Sequence, residues 1–171
     1  MSKWSKEAWT AAASIYAQII DLPFVRGLAD GSLSHERFMH YITQDSLYIG
    51  EYFRVLSHIA SRLGTSSHAA SFVAFAADGV AVEKALHENY ISLSDRKETV
   101  MSPACMLYTS ILKAQSHAPV EVEAAAVLPC FWVYQRVGET IYNACTDRTS
   151  PYKAWIDTYA DPAFKASTQR A

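Results

Sequence analysis

The chain has 171 residues, 50% hydrophobic and 12% aromatic, which is typical of a folded globular protein with a sizeable core and excludes a disordered chain. Its 15 basic and 17 acidic residues are interspersed and give a formal charge of −2, so no basic cluster predicts binding to nucleic acid or to a membrane surface. The three cysteines, Cys105, Cys130 and Cys145, show no CxxC spacing, which argues against a disulfide framework and a structural zinc site.

The first residues, MSKWSKEAW, lack the hydrophobic core of a signal peptide, and no apolar run approaches the length of a membrane span. We therefore expect a cytoplasmic protein without a membrane partner. Strand signals are nearly absent, since no NG or DG dipeptide separates alternating segments. The pattern predicts a single all-α domain over residues 1–171, built as a bundle of about seven helices.

The predicted helices follow one another with short connections. They cover residues 3–20, 24–30, 33–63, 67–90 and 102–117, a long helix from Pro119, and two short ones from Ser150-Pro151 and Asp161-Pro162. Gly31 and Gly64 mark the ends of two of them. Ser34 and Ser102 are expected as N-caps, and Pro103 takes the first helical position that favours proline.

The third helix carries an unusual polar residue on an aromatic face. Tyr41, Asp45, Tyr48 and Tyr52 are spaced by four, three and four residues, so they share one side of the helix. A carboxylate among aromatic rings needs a partner, because an unpaired buried charge is costly. Asp45 is therefore either a satisfied core or stripe-edge residue, or it binds a heteroaromatic ligand held between rings.

The long helix contains a proline followed by a cysteine. Pro129 removes one backbone donor and predicts a bend at this point. Helical spacing places Cys130, Tyr134, Val137 and Ile141 on one face. Cys130 is either a small buried hydrophobe, as free cysteines commonly are, or a nucleophile beside a pocket.

A metal site is not predicted. Glu83 and His87 lie four residues apart on one helix, but further ligands on facing helices would be needed. None of the six histidines forms a cluster with ligand spacing.

Two segments resemble one known family. QDSLY, residues 44–48, and LPCFWVYQRVGE, residues 128–139, are similar to the TenA family, the thiaminase II or aminopyrimidine aminohydrolases of thiamin salvage. The resemblance covers the chain from its first helix to about Phe164. It implies the haem-oxygenase-like helical bundle, no cofactor and a homotetramer.

The resemblance also implies a role for each matching residue. Cys130 is the nucleophile, Asp45 binds the exocyclic amine and a ring nitrogen of an aminopyrimidine, and Tyr48 stacks on the ring. The other matching positions are Tyr108, Tyr134 and Tyr159, with Tyr152 as the alternative to the last.

The implied reaction is hydrolysis of 4-amino-5-aminomethyl-2-methylpyrimidine to the 5-hydroxymethyl compound, cleavage of thiamin, or both. The alternative is a non-catalytic pyrimidine- or thiamin-binding or regulatory protein with the same fold. Family members continue through a further helix with a catalytic glutamate, and this sequence ends at Ala171 without it, so we expect a C-terminally truncated form or a member that has lost this group. Within the chain, Glu139 and Glu83 are the first substitutes to consider.

Overall fold

The computed structural model describes residues 3–90, 100–145 and 149–171, and only the backbone of residues 3, 82, 83 and 85–89. The side chains of Glu83 and His87, two residues of interest above, therefore lie outside the described part. The described residues form eight α-helices and no strand, as the periodicity predicted. They are α1 Lys3–Ile20, α2 Pro23–Asp30, α3 His35–Arg62, α4 Ser66–Tyr90, α5 Pro103–Ala114, α6 Val120–Ala144, α7 Lys153–Ala160 and α8 Pro162–Arg170, with a short 3-10 turn at Gln115–His117.

Local signals explain several helix ends. α2 ends at Gly31, whose φ of 77° lies in the left-handed region that glycine adopts without strain. α5 begins at Pro103, and the side chain of Ser102 accepts a hydrogen bond from the Cys105 N–H at 3.3 Å, as the cap prediction required.

Most boundaries differ from the prediction by one to three residues, and two differences have a clear cause or size. The helix expected over 102–117 ends as an α-helix at Ala114 and continues as the 3-10 turn. Ala118 is extended, with φ −81° and ψ 169°, because the residue before a proline avoids the helical region and Pro119 follows it. α8 is longer than expected and runs for 9 residues.

The chain divides into two compact units, and the division falls within α6. One unit comprises Met1–Ser34 with Phe131–Arg170, and the other comprises His35–Cys130 with Ala171. A single domain over residues 1–171 stays a prediction. Among the described residues, no helix combines the length and apolar character that crossing a membrane requires.

The unit His35–Cys130 has an apolar core and one buried charge cluster. Its almost fully buried apolar side chains, among the described residues, are Phe38, Ile42, Leu56, Ile59, Leu112 and Val127. Beside them, the Glu123 carboxylate of α6 contacts two side chains of α3, the Arg62 guanidinium and, at 2.8 Å, His58 Nδ1. The glutamate is 1% exposed, so these partners supply the charge and hydrogen bonds that its burial requires.

In the unit of Met1–Ser34 and Phe131–Arg170, a glycine allows one close helix approach. A Cβ atom at Gly138 of α6 would lie 2.6 Å from Tyr159 Cβ and 2.7 Å from its backbone. No residue other than glycine fits this position without a shift of α7. The approach brings the Tyr134 and Tyr159 rings to a centroid distance of 5.1 Å.

Candidate functional site

The aromatic face of α3 is buried where the sequence pattern placed it. Asp45 is 8% exposed, and Tyr48 and Tyr52 are each 6% exposed. The carboxylate-bearing residue is thus buried on the same helix face as two buried tyrosines. Tyr41, one turn earlier, is half-buried.

The thiol of Cys130 on α6 interacts electrostatically with Asp45, Tyr48 and Tyr52 of this face. The residue as a whole keeps some exposed surface, but protein atoms surround its thiol closely enough that burial raises the pKa of Cys130 to about 12. The phenol of Tyr48 lowers the thiol pKa, the Asp45 carboxylate raises it, and the Tyr52 phenol lowers it to a smaller extent. The resting sulfur is therefore a neutral thiol at neutral pH.

Two tyrosines of α3 use their hydroxyl groups differently. Tyr52 donates a hydrogen bond of 2.9 Å to the backbone carbonyl of Val127, one turn before the cysteine. The Tyr48 hydroxyl is buried and has no hydrogen-bond partner of good geometry in the described part of the chain. Burial and the Cys130 thiolate raise the pKa of Tyr48 well above its usual value, so the hydroxyl stays protonated. It is a buried donor to which a ligand or the thiolate can bind.

Tyr108 of α5 closes one side of this cluster. Its ring stacks on that of Tyr48, with centroids 5.4 Å apart and planes 15° apart, while 38% of the residue is exposed. Burial and the nearby Cys130 raise the pKa of Tyr108. The face of Tyr48 on this side is occupied, so a ligand ring stacks there only after Tyr108 turns aside. The structure thus brings together Asp45, Tyr48, Tyr108 and Cys130 within the unit His35–Cys130.

The other predicted site residues belong to the second unit. Tyr134 and Tyr159 pair their rings as described above, and Tyr159 also contacts Trp155 at 4.5 Å between ring centroids. Tyr152, the alternative to Tyr159, is buried and donates its hydroxyl proton to the Leu33 carbonyl. The ring contact with Tyr134 is consistent with Tyr159 as the matching tyrosine.

The candidates for an acid or base and for a metal site give little support to either role. Glu139 contacts Lys165 Nζ at 2.7 Å, and this hydrogen bond lowers the pKa of Glu139, so the carboxyl is ionised at neutral pH and is a poor proton donor. No group of three or more His, Cys, Asp and Glu side chains that could hold a metal occurs within the described ranges.

Sequence reasoning gave no role to two residues that shape the cluster. Tyr52 appeared only as a member of the aromatic face, and Gln44 only as a letter of the QDSLY segment. Their partners are the backbone of Val127 and of residues 100–102. No local pattern in the sequence identifies such contacts, because main-chain partners leave no signature in residue type.

Comparison with known proteins gives consistent results. The model of the TENA/THI-4/PQQC family matches residues 9–171. The "Thiamine biosynthesis multifunctional protein ThiED" of Corynebacterium efficiens is 37% identical over 98% of this chain, which spans 23% of that protein. The "Aminopyrimidine aminohydrolase" of Bacillus subtilis is 32% identical over 98% of this chain and 73% of its own length.

Solved structures agree with the fold prediction. The "TenA homologue protein" of P. horikoshii has a TM-score of 0.86 and 25% identity, covering 97% of this chain and 81% of its own. The "TenA family transcription regulator" of Silicibacter sp. has a TM-score of 0.89 and 24% identity, covering 99% of this chain and 77% of its own. The expected all-α, haem-oxygenase-like fold is therefore confirmed.

Proposed function

Because the chain belongs to the TENA/THI-4/PQQC family, we propose that it is a thiamin-salvage hydrolase that attacks an aminopyrimidine with the Cys130 sulfur. The observation that carries the proposal is the buried hydroxyl of Tyr48, which has no partner of good geometry and lies in electrostatic contact with the Cys130 thiol. A thiol beside a buried, unsatisfied donor and a buried carboxylate is suited to a polar ligand that completes the set. The names of the curated relatives fit this chemistry.

Asp45 is the group for the amidine edge of the ring. An aminopyrimidine presents an exocyclic N–H next to a ring nitrogen, and protonation of that nitrogen gives two parallel donors. A carboxylate accepts both, and such charge-assisted hydrogen bonds are among the strongest in proteins. Protonation also makes the ring electrophilic, since the protonated nitrogen accepts the electron pair that is displaced into the ring when a nucleophile adds.

The reaction then balances without a cofactor or an oxidant. The Cys130 sulfur forms a bond to a ring carbon, and the electron pair returned by the ring breaks the bond between the 5-methylene carbon and its amine. The proton lost by the thiol balances the one gained by the leaving ammonia. Water adds to the methylene carbon, the carbon–sulfur bond breaks, and the thiol is restored. Thiamin as substrate follows the same bond changes, but the thiazolium leaves as a neutral thiazole without taking up a proton, so the proton lost by the thiol is released to solvent.

The tyrosines have supporting roles in this proposal. Tyr48 offers its hydroxyl to the sulfur and its ring to the pyrimidine, and Tyr108 moves aside or stacks on the bound ring. The roles of Tyr134 and Tyr159 in substrate binding, implied by the resemblance, remain predictions. The homotetramer and the cytoplasmic location implied by the resemblance remain predictions.

A second function, binding without turnover, is favoured by one observation. A thiol whose pKa is about 12 is almost entirely protonated at neutral pH, and a pyrimidine binder or regulator does not need a thiolate. The aromatic rings and Asp45 would then serve recognition alone.

Kinetics and calorimetry with the aminomethyl pyrimidine and with thiamin separate these functions. Cys130→Ser should abolish turnover and leave the affinity nearly unchanged, whereas the control Cys145→Ser should alter neither. Asp45→Asn should weaken binding about ten- to hundredfold, as expected for a lost charge-assisted bond. Turnover by Cys130→Ser would show that the sulfur is not the nucleophile, and tight binding without turnover by the unmodified chain would favour the second function.

A further inference from the structure

The side chain of Gln44, next to Asp45, bonds to the main chain just before α5. Its Oε1 atom accepts a hydrogen bond of 2.7 Å from the Ser102 N–H, and its Nε2 atom donates one of 3.1 Å to the Val100 carbonyl. The Cys105 thiol adds a longer contact of 3.6 Å to the Gln44 carbonyl. One residue of α3 thus satisfies both a donor and an acceptor of the segment that leads into α5, which fixes the position of that segment.

Contacts between α3 and α5 occur at three successive levels. Gln44 contacts Ser102 at the start of α5, the Tyr48 ring stacks on Tyr108 in its middle, and Glu51 forms an ion pair with Lys113 at its end. Residue numbers increase together along this series, so the two helices run in the same direction.

The two ends of α5 are attached in different ways. The ion pair at the far end joins two side chains of which Lys113 is 53% exposed, and exposed pairs of this kind hold a helix weakly. The amide of Gln44 bonds to backbone atoms, which move only with the helix itself. It is therefore the firmer of the two attachments.

We propose that Gln44 is a positioning residue that acts through Tyr108. By fixing the start of α5, it sets where the Tyr108 ring lies against Tyr48 and how far that ring covers the Cys130 thiol. Its effect on substrate turnover rests on the function proposed above, whereas its effect on access to the thiol does not.

Two substitutions remove the attachment in different ways. Gln44→Met keeps the length of the side chain and removes both hydrogen bonds. Ser102→Pro removes the N–H that donates to Gln44 Oε1 and leaves the bond from Gln44 Nε2 to the Val100 carbonyl. The φ of −64° at Ser102 suits proline. Because Ser102→Pro also removes the cap hydroxyl, Ser102→Ala is its matched control. Gln115→Met is the control for Gln44→Met, since the Gln115 amide bonds only within its own turn to the Ile111 carbonyl.

The first measurement is the rate at which iodoacetamide alkylates Cys130, read by peptide mass spectrometry. Ser102→Pro should speed alkylation about fivefold relative to its control, the effect of one hydrogen bond of ordinary strength, and Gln44→Met, which removes two, should speed it at least as much. In a Tyr108→Ala background, neither change should add to the rate, because the ring through which Gln44 acts is gone.

The proposal is overturned if Gln44→Met has the same effect with and without Tyr108, which is the result expected of a purely structural role. It is also overturned if folded Gln44→Met and Ser102→Pro both alkylate at the control rate. If circular dichroism shows that Gln44→Met does not fold, the comparison of Ser102→Pro with Ser102→Ala decides alone.

Turnover supplies a separate readout. Under the proposed function, Gln44→Met should raise KM for the aminopyrimidine more than it lowers kcat, since a displaced Tyr108 weakens ring binding and leaves the sulfur in place. If the unmodified chain hydrolyses neither substrate, the proposed function is wrong, and the alkylation series still tests the role of Gln44.

Discussion

Asp45→Asn should have opposite effects on the reactivity of Cys130 and on substrate turnover. The carboxylate raises the pKa of the Cys130 thiol, so its removal should favour the thiolate and speed alkylation. The same carboxylate is the proposed ligand for the pyrimidine, so its removal should weaken binding and slow turnover. Partial unfolding would also speed alkylation and slow turnover, so the two rates are compared for an Asp45→Asn variant that circular dichroism shows to be folded.

The starting reactivity follows from the thiol pKa of about 12. At pH 8 such a thiol is ionised to about 10⁻⁴, against roughly 0.2 for an ordinary cysteine with a pKa near 8.5. A thiolate of higher pKa is also the stronger nucleophile. With a Brønsted coefficient of about 0.45, its greater nucleophilicity offsets the difference in ionisation by about fortyfold. Cys130 should therefore react roughly fiftyfold more slowly than free cysteine.

The effect of Asp45→Asn can be scaled in the same way. Loss of the Asp45 carboxylate lowers the pKa of Cys130, and each tenfold gain in thiolate raises the alkylation rate about threefold after the same correction. Tyr48→Phe should act in the opposite direction, because the Tyr48 phenol lowers the thiol pKa. Asp157→Asn, which changes an exposed carboxylate paired with Lys153, is the control and should leave the rate unchanged.

The assay is the pH dependence of iodoacetamide alkylation at Cys130, followed by peptide mass spectrometry from about pH 7 to 10. Because burial raises the folded-state pKa, the thiol contributes stability that is fully present below the ordinary thiol pKa near 8.5 and is lost as the pH rises towards 12. The series stops at pH 10 so that only part of this stability is lost. An apparent pKa near 8.5 in the unmodified chain, or slower alkylation of Asp45→Asn, would refute this account.

Two further predictions concern stability, measured by urea unfolding. Glu123→Gln removes the charge that Arg62 contacts, and should lower the free energy of unfolding by about 2–3 kcal/mol, less than for a fully buried pair because the Arg62 side chain is 28% exposed; an unchanged midpoint would contradict this. Gly138→Ala forces its Cβ to within 2.6 Å of Tyr159 and should destabilise the protein by about 2 kcal/mol, whereas Gly79→Ala, which meets nothing within 4 Å, should stabilise it by up to about 1 kcal/mol through helix propensity. Equal effects of the two glycine substitutions would show that the approach of α7 to α6 is not close.

Helix positions could be predicted because their signals are local. The left-handed φ of Gly31 and the cap formed by Ser102 before Pro103 depend on residues next to one another in the sequence. The prediction missed the 3-10 turn before Pro119, although the effect of a proline on the preceding residue is also local. The length of α8 was underestimated, since the sequence pattern alone gave it less than two turns.

The site could be predicted only in part. Helical spacing placed Asp45 and Tyr48 on one buried face, but it did not show that Tyr108 covers that face. Stacking across α3 and α5, like the bond from Tyr52 to Val127, joins residues far apart in the sequence. Such contacts depend on how helices pack, and a pattern within one helix carries no information about its neighbour.

The high pKa of Cys130 and the buried hydroxyl of Tyr48 have a common physical origin. Both groups lie in a buried site in which the Asp45 carboxylate opposes a thiolate. A protonated aminopyrimidine bound to Asp45 would neutralise that charge and place a cation near the sulfur, which lowers a thiol pKa. The Tyr48 hydroxyl could then donate to the thiolate that forms. The sulfur would thus become a nucleophile when the substrate binds, and remain an unreactive thiol when the site is empty.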